Sequence, residues 1–281
     1  MYNSPVFSCR CSSAFRSPLP RSRSSTFYFT LCNCRVNTRN AFTLLELLVV
    51  ISMVAVLMVL VAPAFTNRKS ADDITNAAYA VKDVCEQARS YAKANHTYTW
   101  VGFYEENASA LSPTNATPAY PGKGRVVMAT VFSNDGTKIL EDADPSPVLP
   151  PSRITQLGRL IKIEGVHITD IGAPAGGNSD VLDGRPSLPY TQGAPFDHFN
   201  RISSDSADAT QFAFAAQNYT FYKTIRFNPR EEANINSTYA LKRAAEIGIK
   251  STHGDVVDAN SRNIVAIQFG GIGGNFKIYR K

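Results

Sequence analysis

Residues 42–66 read FTLLELLVVISMVAVLMVLVAPAFT, and this run sets the architecture of the chain. From Leu47 through Thr66 no side chain carries a formal charge. About 20 such residues, rising roughly 1.5 Å each as a helix, cross the hydrocarbon core of a bilayer. Glu46 is the exception inside the apolar run. An ionised carboxylate in hydrocarbon is costly, so Glu46 must either mark the membrane boundary or meet a positive partner. The immediate flanks are nearly balanced, with Arg39 before the run and Arg68 and Lys69 after it. The wider flank decides: residues 1–41 hold six arginines and no acid, which predicts a cytoplasmic N-terminus and an extracytoplasmic C-terminal part.

The segment Asn40-Ala41-Phe42-Thr43-Leu44-Leu45-Glu46, followed by that run, resembles the processing site of the type IV prepilin and type II secretion pseudopilin family. The resemblance implies cleavage between Ala41 and Phe42 by a prepilin peptidase that also methylates the new amine. Alanine at position 41 departs from the usual glycine and implies slower processing. Phe42 and Glu46 would then be the assembly residues, the charged amine of one subunit lying near the carboxylate of another. In a weak dielectric such charges attract, but desolvation consumes much of the gain, so the pair sets register more than stability. Pro63 falls where many members have a helix-loosening proline and is the expected helix bend. The implied partners are the peptidase/methyltransferase, other pilin-like subunits, an inner-membrane assembly platform and the bilayer. An exoprotein or surface ligand is the further partner of a tip subunit. An ordinary secretory signal over residues 1–65, cut after Ala62-Pro63-Ala64, is the competing reading, in which the product is unanchored.

Beyond Thr66 the helical pattern continues. Ile74, Ala77, Val81, Val84, Ala88 and Ala92 recur at steps of three and four, while Lys82, Asp83, Glu86, Arg89 and Lys93 largely take the other sides. A helix from Phe42 to Asn95 is therefore expected, against the alternative of two helices split near residues 66–70. The expected organisation is a basic leader over 1–41, a transmembrane and assembly helix over 42–66, its amphipathic continuation over 67–96, and a β-rich domain over 97–281. The expected fold is α+β and pilin-like: a long membrane-spanning helix packed at its outer half on a mainly antiparallel sheet.

Strand-like runs are Thr97–Tyr104, Arg125–Phe132, Leu160–Thr169, Tyr219–Asn228, Ala245–Lys250, Asn263–Phe269 and Asn275–Tyr279. Gly270-Gly271-Ile272-Gly273-Gly274 reads as the turn between the last two. Polar, Pro/Gly-rich loops are expected over 108–124, 141–152 and about 172–208, the last long enough to suggest recognition at an exposed tip. The stretch Ala88-Arg89-Ser90 to Asn95, leading into Thr97-Tyr98-Thr99-Trp100-Val101, is similar to the minor pseudopilins called GspH-like or FimT-like. The run Ile225 to Ala233 with the terminal hairpin resembles the prepilin-like cassette proteins of planctomycete- and verrucomicrobium-type bacteria, although Glu231 stands where glycine is usual.

Composition excludes several functions. The chain has 29 Lys+Arg and 23 Asp+Glu. Setting aside the six leader arginines leaves 23 of each, so the mature part is formally neutral and makes no electrostatic case for nucleic acid. Cys9, Cys11, Cys32 and Cys34 form two C-x-C pairs in a leader rich in Ser, Arg and Pro; an unstructured leader is preferred to a zinc site. Cys85 stands alone after Ala41 and reads as a packed thiol. His96, His167, His198 and His253 are scattered. Asp197-His198 and His253-x-Asp255 are the pairs that could be drawn into a metal site or an acid/base pair, but both sit in polar, loop-like sequence and no nucleophile motif accompanies them. The reading is therefore non-enzymatic, with no catalytic residue, metal or cofactor: a structural subunit of a pilus-like filament or of a secretion pseudopilus serving protein transport. A minor tip subunit binding a surface, exoprotein or DNA is the alternative, followed by an anchored domain of other function.

Overall fold

The computed structural model describes residues 43–110, 120–140, 148–172, 180–186, 202–205, 212–235, 244–259 and 261–281, the side chains of residues 62–70 excepted. The chain divides into two compact units, Met1–Val59 and Leu60–Lys281, and the division falls inside the α-helix α1, Leu44–Ala94. The expected helix is thus present as one element, two residues shorter at its start and one at its end.

In the first unit α1 presents its apolar side chains outward. The span Leu44–Val61 is long and apolar enough to cross a membrane, and none of it is buried in the protein. Leu, Val, Ile and Met on every side of a helix leave no polar face to solvate, which is the composition that hydrocarbon requires.

In the second unit the later turns of α1 bury the stripe read from the sequence: Ile74, Ala77, Val81, Val84, Ala88 and Ala92, with Cys85 beside them. The alanines allow close approach to the sheet, and Thr99 Oγ1 donates to the Ala88 carbonyl at 3.0 Å. The helix ends in a left-handed residue, His96, with φ 49°. Thr97 N–H reaches back to the Ala92 carbonyl and His96 N–H to that of Lys93, the two bonds of a Schellman cap.

The strands are β1 Thr99–Asn107, β2 Gly124–Ser133, β3 Ile154–Thr169, β4 Phe214–Ala216, β5 Tyr219–Phe221, β6 Lys223–Phe227, β7 Ala233–Asn234, β8 Ala245–His253, β9 Val256–Val257, β10 Ile264–Phe269 and β11 Phe276–Arg280. Their order in the main sheet is β11-β10-β8-β3-β2-β1-β6-β7, with β9 paired to β8, and every strand pairing in it is antiparallel. The expected α+β architecture is therefore the observed one.

Two layers of core flank the sheet. Val101, Phe103, Val126, Met128, Ile225 and Ile267 pack toward α1. Trp100, Val127, Ala129 and Val131 face the opposite way, onto Phe214 and Phe221 of the β4–β5 hairpin. This alternation is the period-2 geometry of a strand buried on both faces. Gly102 permits the second contact: a Cβ there would lie 2.6 Å from Phe221 and 2.7 Å from Phe214.

Some boundaries differ from expectation. The run Tyr219–Asn228 is two strands, because β5 pairs with β4 while β6 joins β1, with the change at Tyr222. β3 begins six residues earlier than expected. It carries two register irregularities: Gly158, Arg159 and Leu160 stand against Ala129 alone, and Gly165 is an extra residue opposite the Gly124–Arg125 step. Both glycines have positive φ, 73° and 76°, as bulges of this kind require. Within the long polar stretch 172–208, Arg185 is buried between Asp180 at 2.6 Å and Glu246 at 2.6 Å.

Candidate functional site

Among the described residues, two of the polar clusters bear on the candidate roles read from the sequence. The first is the start of α1. Thr43 precedes the helix, and its Oγ1 accepts the Glu46 N–H at 3.2 Å. Glu46 Oε2 in turn accepts the Thr43 N–H at 2.9 Å and the Thr43 hydroxyl at 3.0 Å. This reciprocal pair is a capping box, which satisfies backbone donors that the first helical turn leaves without partners. Glu46 therefore has a local role that the apolar-run argument did not identify, although Thr-x-x-Glu is its sequence signature. Both bonds fall on one carboxylate oxygen, and Oε1 has no hydrogen-bond partner among the described residues. Ala41 and Phe42 lie outside the described residues. Pro63 lies within α1, its side chain among those not described.

The second place is in the β-domain. His167 on β3 is 1 % exposed. Its Nδ1 is 2.9 and 3.0 Å from the two Glu105 oxygens, and its Nε2 is 3.2 Å from Asp205 Oδ1. Lys123 Nζ sits 2.8 Å from the same Asp205 oxygen and 3.4 Å from Nε2. Thr169 Oγ1 donates to Asp205 Oδ2 at 3.0 Å, and Gly124 N–H donates to Glu105 Oε1 at 3.1 Å. Burial pushes the Asp205 carboxyl up, but the Lys123 and Thr169 bonds and the adjacent His167 outweigh it and hold the group below the usual carboxylate range. An imidazolium can donate to both carboxylates; a neutral ring donates to one and can accept from Lys123.

Ser204 Oγ is 3.1 Å from His167 Nδ1, which brings serine, histidine and aspartate together. The arrangement lacks the logic of a nucleophile. The Ser204 hydroxyl donates to the Ile168 carbonyl at 2.9 Å, so its proton is not presented to the ring, and Glu105 already occupies Nδ1. Nor do the acids converge on one point. Glu105 and Asp205 address opposite ring nitrogens, and no metal-binding group of three or more ligands occurs among the described residues. The cluster ties residues 202–205 to β1 and β3.

The other sequence candidates are separate from it. His253 is exposed at the end of β8, His96 caps α1, and Asp197, His198 and the four leader cysteines lie outside the described residues. Cys85 is fully buried, and burial pushes its thiol far above the ordinary value, where it stays protonated and unreactive.

The architecture is pilin-like in the generic sense: an apolar N-terminal helix whose later turns pack on a large antiparallel sheet. No family profile, curated protein or solved structure matches this chain.

Proposed function

We propose that this protein is a pilin-like structural subunit, cleaved between Ala41 and Phe42, N-methylated, and assembled through α1 into a type IV pilus-like filament or a type II secretion pseudopilus. The observation that carries the reading is the division of labour along α1. Residues Leu44–Val61 bury nothing inside the protein, while Ile74–Ala92 form one wall of the domain core. An all-round apolar segment joined to a core-forming helix can rest in a bilayer before assembly and against like segments of neighbouring subunits after it.

The capping box supports the assembly role of Glu46. It fixes the carboxylate at the start of the apolar segment and leaves Oε1 for a cation from another chain, which the amine of a processed Phe42 would supply. On this reading the subunit spans the inner membrane once, with the leader cytoplasmic and residues 67–281 periplasmic. It acts by packing, without turnover of its own. Its partners are the processing peptidase, the assembly platform and its fellow subunits. The test is the fraction of subunit found in sheared filaments for wild type and Glu46→Gln. Loss of incorporation with unchanged membrane insertion and cleavage is expected; full incorporation of the variant would remove the reading.

A further inference from the structure

β3 is paired unevenly. β2 covers one side of it from Ile154 to Val166, but β8 covers the other side only across Val166–Thr169. Over the stretch before Val166, β3 therefore has no neighbouring strand on that side among the described residues. An edge of this kind presents backbone N–H and C=O groups in the spacing that another strand matches.

The same strand, with β2 and α1, lines a cavity of about 240 Å³. Val84, Met128, Leu157 and Ile161 give it apolar walls, and Gln87 and Arg159 lie at its polar margin. The bulge at Gly158–Leu160 opens it: a Cβ on Gly158 would meet nothing within 4 Å, and both Gly158 and Arg159 are exposed. Its volume is below the roughly 300–1,000 Å³ of small-molecule sites, so it suits one aliphatic side chain better than a whole ligand. Arg159 forms no ion pair among the described residues, whereas the neighbouring Glu164 is engaged by Arg125 at 3.1 Å.

We propose that the open edge of β3 at Ile161–Gly165 is a docking site for an extended segment of another protein, which adds as a strand, places an aliphatic side chain in the cavity and sets an acidic residue beside Arg159. Backbone pairing supplies affinity, and the cavity with its arginine supplies selectivity. Charge decides the occupant: among the described residues Arg159 is the one cation lining the cavity and has no ion partner, which calls for a carboxylate. The proposal does not depend on the processing of the N-terminus.

The probe is a fluorescein-labelled peptide of alternating threonine and valine with one central leucine and a glutamate two residues after it, on the same face of the strand, titrated into the full chain in detergent micelles. Saturable binding and slowed amide exchange across residues 161–165 are expected. Arg159→Glu should weaken binding by about tenfold, from juxtaposed like charges, and a peptide with lysine for the glutamate should restore it. Gln87→Trp should abolish binding by filling the cavity mouth. Both positions are exposed, so an unchanged thermal midpoint verifies folding. The absence of saturable binding to wild type, or binding that neither variant alters, overturns the proposal. So does pairing of the edge with a second copy, seen as exchange protection without peptide in a larger particle that Arg159→Glu disperses.

Discussion

Glu46 serves two separable purposes on this account, and two substitutions distinguish them. Glu46→Gln keeps an acceptor oxygen for the Thr43 N–H and hydroxyl, now at 2.9 and 3.0 Å, and removes only the charge. Thr43→Ala does the reverse: it removes the hydroxyl that accepts from Glu46 N–H at 3.2 Å and leaves the carboxylate ionised. Loss of such a cap costs about 1 kcal/mol, a change of roughly fivefold in the frayed population of the first turn. The Thr43–Glu46 pair is exposed, so no larger structural effect arises from it. Amide exchange over residues 44–47 in micelles should therefore quicken by roughly fivefold in Thr43→Ala and change little in Glu46→Gln. Incorporation into filaments should fall in the opposite order, modestly for Thr43→Ala and almost completely for Glu46→Gln. If Glu46→Gln incorporates as well as wild type while Thr43→Ala loses incorporation, helix capping alone explains Glu46, and the contact between subunits is refuted.

Further outcomes follow from the β-domain. Gly102→Val should destabilise by about 1–3 kcal/mol, because its Cβ would overlap Phe214 and Phe221, and the thermal midpoint should drop by about 2–4 °C per kcal/mol. Arg185→Met leaves Asp180 and Glu246 buried without their cation and should cost about 3–5 kcal/mol in urea unfolding, whereas Arg159→Ala should cost under about 0.5 kcal/mol. Asp180 and Asp205 both titrate below the ordinary carboxylate value in the folded chain. Their stabilisation is complete above the unfolded value near pH 4 and is lost as pH falls through the folded values. Melting followed from pH 6 to pH 2 should show a decline below about pH 4 that is shallower in Asp205→Asn. Cys85 should resist iodoacetamide at pH 8 until the domain unfolds, since its buried thiol stays protonated; rapid labelling of folded protein would contradict its packing.

Much of the fold was legible because burial imposes simple periods. The stripe from Ile74 to Ala92 has helical spacing, and it is the wall of the core. β1, β2, β8, β10 and β11 announce themselves by β-branched and aromatic residues. The start of β3 was missed because Ile154-Thr155-Gln156-Leu157-Gly158-Arg159-Leu160 breaks alternation at its bulge, and the backbone rather than the side-chain pattern keeps the strand going. The second bulge at Gly165 explains why the alternation of Ile161 and Ile163 shifts before Val166. Tyr219–Asn228 reads as one strand because propensity does not record which partner a strand chooses. The His167 cluster was invisible for a different reason: Glu105, Lys123 and Asp205 lie 62, 44 and 38 residues away, and only the assembled sheet brings them to one imidazole. The capping box, by contrast, is a three-residue spacing, and Thr43-Leu44-Leu45-Glu46 carried it openly.

The mass and N-terminal sequence of the protein extracted from its native membrane bear on all of this at once. A chain beginning at Phe42 with a methylated amine is the expected result. A working protein that keeps residues 1–41 would mean that no new amine forms and that the partner assigned to Glu46 does not exist.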